Sequence, residues 1–174
     1  MTTVLVTGPM GGGKSAACAH LAALGWPVYD CDSRCKLLYQ TVPGLRERIE
    51  AELGIPFSQL GRIFDEPELK SRLEDIVYPL MAEDIAGWKA EQTLPLAFVE
   101  SATALGNPLF SSLFDKVLLI WAPLQERAAR KPEASRRSPL QHFPRSLVDR
   151  TIRNTGTVEE LNIKLDKYLK TLIS

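Results

Sequence analysis

Cysteine and histidine are scarce in this chain, which has three cysteines and two histidines among 174 residues. A zinc site needs about four such ligands, and no second cysteine or histidine pair lies near Cys31 and Cys35. A chain of this length buries enough apolar surface to fold without disulfides. We therefore expect small, reduced thiols that are buried or half-buried. His20 and His142 have no visible partner in the sequence and are given no role.

The chain also lacks net charge and long apolar runs. Basic and acidic residues number 21 each, so no overall field draws the protein to nucleic acid or to a membrane. The longest apolar run, residues 117–122, is too short to cross a bilayer, and the chain enters a predicted strand without a charged leader segment. We expect a cytoplasmic monomer or weak homo-oligomer that binds neither nucleic acid nor membrane.

The strongest functional signal lies in residues 4–15. A run of β-branched and aliphatic residues breaks into a glycine-rich segment that ends in Lys14 and Ser15. This is the P-loop motif G-x-x-x-x-G-K-S, whose backbone amides surround phosphate groups while the lysine contacts the β- and γ-phosphates and the serine binds Mg²⁺. The motif predicts binding of ATP with Mg²⁺. The expected contacts are Gly8, Gly11, Gly12, Gly13, Lys14, Ser15 and Ala16.

Apolar segments alternate with helical patterns along the chain. Five segments are predicted strands, the last short and polar as an edge strand can be: residues 4–7, 27–30, 94–99, 116–122 and 150–153. Residues 65–68 and 157–160 have the sequences of helix starts, and the apolar stripe after the second start indicates core packing. Strands that alternate with helices predict an α/β fold with a parallel five-stranded sheet, and ligands bind beyond the carboxyl ends of such strands.

Three acidic residues fall at those predicted strand ends. Asp30 and Asp32 are two apart in a segment that we expect to be extended, which would turn both side chains to the same side, next to the P-loop motif. One could accept a hydroxyl proton while the other orients Mg²⁺ waters, although one of the pair could instead cap a helix. Glu100 either supports Mg²⁺ through water or is a solvated strand end.

The stretch of residues 121–153 is basic, with eight basic and three acidic residues. It contains Arg130, Arg136 and Arg137, whose guanidinium groups would match phosphate oxygens, although any single one could be a surface charge. Prolines interrupt the segment. A linker is possible, but a basic mobile loop over residues 127–145 fits a lid that closes over ATP.

Several segments together resemble the dephospho-CoA kinase family. They are the P-loop motif, the Leu-Gly turn leading to Asp-Cys-Asp at residues 24–32, Leu-Glu-Asp-Ile-Val-Tyr-Pro at residues 73–79, and Asp149, Ile152, Asn154 and Gly156. That family looks like nucleotide-monophosphate kinases. The resemblance implies one domain with a three-layer P-loop kinase fold over residues 1–174. Its parts would be a core of residues 1–32 and 94–174, a helical CoA-binding insertion at about 33–93 and a short lid at about 127–145.

The resemblance implies transfer of the γ-phosphate of ATP to the ribose 3′-hydroxyl of dephospho-CoA, the small-molecule substrate. It favours Asp32 as the base, and Lys36 is similar to a family residue that contacts substrate phosphate. The implied catalytic residues are Lys14, Asp32, Arg130 and Arg137. The implied substrate contacts are Asp30, Asp32, Lys36, Tyr78 and Glu100. Asn154 and Gly156 are expected to form the turn beneath adenine.

The chain departs from the family pattern at several places. Pro9-Met10 replaces a small residue pair in the P-loop, and the lid of residues 127–145 is shorter than usual, with altered arginine spacing. Tyr78 stands where the family has histidine, and Gly106 lies near the position of a second acid. A kinase of another nucleoside or nucleotide is therefore one alternative, and a diverged nucleotide-binding protein without catalysis is another. The presence of Lys14, Ser15 and Asp32 argues against the second. A nucleic-acid binder is disfavoured because the basic stretch has little interleaved aromatic sequence.

Overall fold

A computed structural model describes residues 1–137 and 142–173, without the side chain of Arg137. The chain divides into two compact units. The sheet unit combines Met1–Asp30 with Glu91–Ser174, and the helical unit is Cys31–Ala90.

Five parallel strands form the sheet: β1 (Thr2–Thr7), β2 (Val28–Asp30), β3 (Leu96–Glu100), β4 (Lys116–Trp121) and β5 (Arg150–Arg153). Their order is β2-β3-β1-β4-β5, and every neighbouring pair is parallel. The predicted α/β fold with a parallel five-stranded sheet is confirmed. The polar strand β5 lies at an edge, as its sequence indicated, because only one of its sides has a neighbour.

The described helices are α1 (Lys14–Ala23), α2 (Cys31–Thr41), α3 (Leu45–Leu53), α4 (Pro67–Ala90), α5 (Leu124–Arg130), α6 (Ala134–Arg137) and α7 (Val158–Ile173). The 3₁₀ segments among the described residues are Phe57–Phe64, Ser111–Leu113 and Arg145–Leu147. Within the described residues, no helix combines the length and apolar composition that crossing a bilayer requires.

Helix α7 packs on the sheet unit's core as its sequence predicted. The Thr157 hydroxyl accepts a hydrogen bond from the backbone N–H of Glu160 at 3.2 Å, which caps the first turn. Four members of the predicted apolar stripe are buried, and the fifth, Leu172, is half-buried against the same core; the buried members are Leu161, Leu165, Tyr168 and Leu169. The ring of His20 on α1 bonds Asp166 of α7 at 2.7 Å. His20 therefore has a partner that the sequence did not reveal.

The helical unit has its own apolar core. Helix α4 begins at Pro67, where a proline costs no helical hydrogen bond. The predicted apolar face is buried, and it consists of Leu69, Leu73, Ile76 and Val77. On α3, the buried residues are Leu45, Ile49 and Leu53. Arg34 of α2 donates two hydrogen bonds to Asp84 of α4, at 2.9 and 2.7 Å. This bidentate pair fixes α2 to the longest helix of the unit.

Candidate active site

A glycine loop, residues 8–13, joins β1 to α1 at the carboxyl end of the sheet. Gly8 has a φ of 147°, and a side chain there would overlap the carbonyl oxygen of Ile120 in β4. Gly13 has a φ of 107°, and a side chain there would overlap the amide group of Asn154. Both positions require glycine because the backbone is left-handed and lies directly against its neighbours. The glycines thus let the loop lie against β4 and the end of β5.

Lys14 begins α1 and is half-buried, and its ammonium group lies over the glycine loop. Its Nζ donates hydrogen bonds to the carbonyl oxygens of Gly8 at 2.8 Å and Pro9 at 3.4 Å. The exposed Ser15 and the half-buried Ala16 follow in the first helical turn. The amino end of α1 and the lysine charge therefore combine at the loop, which is a favourable environment for an anion.

Ser15 and Glu100 form the oxygen-rich part of the site. The Ser15 hydroxyl donates a 2.9 Å hydrogen bond to Glu100 Oε1, and Glu100 is the register partner of Asp30 on β2. Burial raises the pKa of the Glu100 carboxyl and the charge of Asp30 raises it further, whereas the Ser15 hydrogen bond and the Lys14 charge lower it. Glu100 is thus a half-buried, hydrogen-bonded carboxylate in direct contact with the first turn of α1.

This donor set fits a magnesium ion. Mg²⁺ takes oxygen ligands and usually completes its shell with water and substrate phosphate, so one or two protein oxygens are enough. Ser15 and Glu100 supply such oxygens next to the loop. In the part of the chain that the structure describes, no three His, Cys, Asp or Glu side chains gather as a metal cage.

Cys18 lies beside the carboxyl groups of Glu100 and Asp30, a position that was not predicted from the sequence. Cys18 is 4% exposed, and burial together with the neighbouring Glu100 and Asp30 raises the pKa of its thiol. Its place three residues after Ser15 on α1 is the signal that could have suggested it. None of the three cysteines forms a disulfide, and Cys18 is buried while Cys31 and Cys35 are half-buried, so the prediction of buried or half-buried thiols is confirmed.

Three side chains hold the outer side of the glycine loop. Arg127 of α5 donates to the carbonyl oxygens of Ala122 at 3.0 Å and Met10 at 3.4 Å, and the residue is 6% exposed. Burial lowers its pKa. Arg130 donates to the Gly11 carbonyl oxygen at 3.2 Å and to the Asn154 carbonyl oxygen at 3.0 Å. The Asn154 side chain donates to the Gly12 carbonyl oxygen at 2.9 Å.

The structure gives Arg127 and Asn154 contacts that the sequence did not predict. The sequence placed Arg127 at the beginning of a lid, whereas the structure shows it buried in a helix against the loop. Asn154 was expected beneath adenine, and its side chain contacts the loop backbone. Gly156 lies in the turn before α7, where a side chain would overlap the carboxylate of Glu160.

The prediction that Asp30 and Asp32 lie in one extended segment with their side chains on the same side is wrong. Strand β2 ends at Asp30 and α2 begins at Cys31, so Asp32 lies in the first turn of a helix and not in an extended segment. A carboxylate in that turn is favoured by the positive end of the helix dipole. Within the sheet unit, Asp30 instead pairs in register with Glu100.

The remaining substrate candidates belong to the helical unit. Asp32 and Lys36 are both exposed on α2 and lie one turn apart. Tyr78 is half-buried on α4, and its hydroxyl donates to Glu74 Oε1 at 2.7 Å. Lys70 lies 3.2 Å from the same carboxylate. Tyr78 is therefore part of a polar chain along one side of α4.

The predicted lid is only partly described. Helix α6 contains the exposed Arg136 and the fully buried Ala134. Arg137 ends α6, and its side chain lies outside the described atoms. Residues 138–141, which the sequence assigned to the lid, also lie outside the described residues. Closure of the lid over ATP stays a prediction.

A family model and curated relatives that match this chain all name the same family. The family model for dephospho-CoA kinase matches residues 2–141. The chain is 32% identical over 155 residues to a dephospho-CoA kinase of Porphyromonas gingivalis, which covers 82% of this chain and 76% of the relative. It is 29% identical over 194 residues to a dephospho-CoA kinase of Frankia casuarinae, which covers 100% of this chain and 85% of the relative.

Solved structures share the fold. A crystal structure of a Thermus thermophilus protein matches with a TM-score of 0.78 at 26% identity, covering 98% of this chain and 97% of that one. A shikimate kinase from Acinetobacter baumannii matches with a TM-score of 0.58 at 17% identity, covering 98% of this chain and 94% of that one, which shows the fold alone. The resemblance inferred from the sequence is confirmed. The family model spans most of the chain, and so the chain belongs to the dephospho-CoA kinase family.

Proposed function

We propose that this protein is a dephospho-CoA kinase, which transfers the γ-phosphate of ATP to the ribose 3′-hydroxyl of dephospho-CoA in the final step of coenzyme A synthesis. One observation carries the proposal. A glycine loop bearing Lys14, with Ser15 bonded to Glu100, lies at the carboxyl end of the parallel sheet in a chain of this family. We also propose a cytoplasmic location, in keeping with three cysteines that form no disulfide.

The glycine loop and Lys14 would bind the phosphates of ATP. Phosphoryl transfer passes through a loose transition state, so the protein acts mainly by positioning and by stabilising negative charge. The loop supplies backbone amides and the amino end of α1, and Lys14 supplies a full charge already held over the loop by two carbonyl oxygens. Ser15 and Glu100 would hold Mg²⁺, which neutralises charge on the phosphate oxygens.

Asp32 is our proposed base for the acceptor hydroxyl. Its carboxylate is exposed in the first turn of α2, where it can take a proton from a bound hydroxyl. Asp30, the register partner of Glu100, would orient the site. Lys36 and Tyr78 of the helical unit would contact the substrate. Among the basic residues after β4, Arg130 and Arg137 would stabilise the transferring phosphate.

A panel of acceptors tests this function directly. The purified protein is given ATP and Mg²⁺ with dephospho-CoA, adenosine, AMP, CMP, pantetheine or shikimate, and the phosphorylated products are identified by mass spectrometry. We expect kcat/KM for dephospho-CoA to exceed that for every other acceptor by at least about 100-fold, because a site that hydrogen-bonds its substrate rejects analogues lacking those groups. A 3′-deoxy analogue of dephospho-CoA is the matched control and should accept no phosphate.

The outcomes separate the alternatives. Faster transfer to adenosine, AMP or CMP would make the protein a kinase of another nucleoside or nucleotide. Binding of ATP with no transfer to any acceptor would indicate a non-catalytic nucleotide-binding protein. Either result contradicts the proposal.

A further inference from the structure

Three carbonyl groups of the glycine loop point away from the loop, and each accepts a hydrogen bond from a side chain that is distant in sequence. The Met10 carbonyl accepts from Arg127, the Gly11 carbonyl from Arg130 and the Gly12 carbonyl from Asn154. These donors come from α5 and from the residue after β5, more than 100 positions along the chain. Three successive carbonyl groups are thus fixed from outside the loop.

A fixed carbonyl also fixes the next amide. The peptide unit is planar and trans, so its C=O and the N–H of the following residue point in opposite directions. Holding the Met10 carbonyl outward therefore turns the Gly11 N–H inward, and holding the Gly12 carbonyl outward turns the Gly13 N–H inward. The Gly12 N–H, which follows the Gly11 carbonyl, already donates a 2.9 Å hydrogen bond to the Pro9 carbonyl oxygen within the loop.

Close packing supports the same arrangement. A side chain at Gly11 would lie 2.7 Å from the Arg127 carbonyl oxygen and 3.0 Å from its Cβ, so the loop rests directly on the α5 backbone. Arg127 is 6% exposed and Asn154 is 8% exposed, which keeps water from competing for the two carbonyl groups. Arg127 and Asn154 are therefore both buried side chains of the sheet unit.

We propose that Arg127 and Asn154 are positioning residues that aim the Gly11 and Gly13 amides at the phosphates of the nucleotide. They act through the loop backbone and contact no reacting atom. The inference depends on the proposed function only in that the loop binds nucleotide phosphate. It makes no use of the acceptor, so it can be tested without phosphoryl transfer.

The test compares ADP with AMP, both without added metal, by calorimetry. ADP has the β-phosphate that a P-loop motif surrounds, and AMP lacks it. We expect Asn154→Ala to weaken ADP binding about tenfold, the net effect of losing one hydrogen bond, and Arg127→Met, whose bond to the loop is longer, to weaken it by up to the same factor, while AMP binding stays unchanged. Arg127→Lys should recover part of the loss. Arg150→Met, which removes an exposed arginine of β5, should match the wild type.

Amide exchange of the nucleotide-free protein gives a second readout. The Gly11 and Gly13 amides, resolved by NMR, should exchange faster in Arg127→Met and Asn154→Ala, respectively, and at wild-type rates in Arg150→Met. If Arg127→Met fails to fold, as judged by its thermal melting, Asn154→Ala decides the matter.

Three results would overturn the inference. Wild-type ADP affinity in Asn154→Ala is one, and a wild-type protein that binds ADP no more tightly than AMP is another. The third is an equal loss of ADP and AMP affinity, which would mean direct adenine contact or general damage. Failure to phosphorylate dephospho-CoA would overturn the proposed function and leave these binding results as they are.

Discussion

The role that we propose for Lys14 concerns the reaction and not the fold. Lys14 is half-buried at the amino end of α1, its ammonium group donates to the carbonyl oxygens of Gly8 and Pro9, and the residue is not a member of the apolar core. We expect Lys14→Ala to lower the rate of phosphoryl transfer by on the order of 10²- to 10³-fold, as loss of one charge-stabilising group does. The melting temperature should remain close to that of the wild type.

A coupled ADP-release assay and a thermal melt measure both quantities. Lys116→Ala is the matched control, because Lys116 forms a surface pair with Asp149 at 3.3 Å away from the loop. It should retain normal transfer. Normal turnover in Lys14→Ala would remove the lysine from the mechanism.

Replacing Asp30 or Asp32 by asparagine tests which of the two carboxylates is the base. Asparagine keeps the shape of the side chain but cannot take a proton from the acceptor hydroxyl. We expect Asp32→Asn to lower kcat by on the order of 10²- to 10⁴-fold while the affinity for ATP changes little. Steady-state kinetics and ATP titration separate the two effects. An active Asp32→Asn beside an inactive Asp30→Asn would assign the base to Asp30.

Residue types and spacing predicted the groups that belong to a local motif. Lys14 and Ser15 could be assigned from the glycine pattern because their positions follow from a single loop. Arg127 could not, since its acceptor on Met10 lies 117 positions away and is a backbone carbonyl, which any residue has. The sequence also could not predict that Asp30 ends a strand while Asp32 lies in a helix, because nothing in a three-residue strand marks the point where the helix begins.

The helices and strands themselves were more predictable. Continuous apolar runs identified the inner strands, since a strand covered on both faces needs apolar residues at every position. The cap at Thr157 and the stripe on α7 located the last helix. Helix α6 was not predicted. It has four residues, too few for a periodic pattern, and it forms where Ala134 is fully buried.

One element-scale prediction concerns Tyr168 on α7. Its hydroxyl is buried, and no described residue gives it a hydrogen-bond partner. Burial raises its pKa from 10.0 to about 12. The folded protein therefore keeps the phenol proton at pH values where the unfolded chain releases it. The contribution of Tyr168 to the free energy of unfolding is therefore fully present below pH 10 and is lost as the pH rises toward about 12.

Tyr168→Phe removes both effects. At neutral pH we expect the free energy of unfolding to stay the same or to rise by up to about 1 kcal/mol, because an unsatisfied buried hydroxyl is gone. Between pH 10 and about pH 12 the variant should lose less stability than the wild type, because in this range the unfolded wild-type chain releases its phenol proton and the folded protein keeps it. Urea unfolding across this range measures the difference, and parallel losses in the two proteins would contradict the assigned pKa.

At the scale of the whole molecule, the candidate residues are distributed over two compact units. The glycine loop, Glu100 and the α5 arginines belong to the sheet unit, while Asp32, Lys36 and Tyr78 belong to the helical unit. The proposed function assigns ATP to the first set and dephospho-CoA contacts to the second. Each ligand should then leave its own footprint, because binding stabilises the segment it contacts by up to about 2.7 kcal/mol at a concentration of 100 Kd.

Hydrogen exchange with mass spectrometry can record the two footprints. A non-hydrolysable ATP analogue should slow exchange in residues 8–16 and, if the basic segment closes, in residues 127–137. Dephospho-CoA should slow exchange in residues 31–41, which form α2. Shikimate, a small acceptor of another kinase, serves as the control ligand and should protect neither set. If dephospho-CoA protects only the sheet unit, the helical unit has no part in substrate binding, and the roles proposed for Lys36 and Tyr78 are wrong.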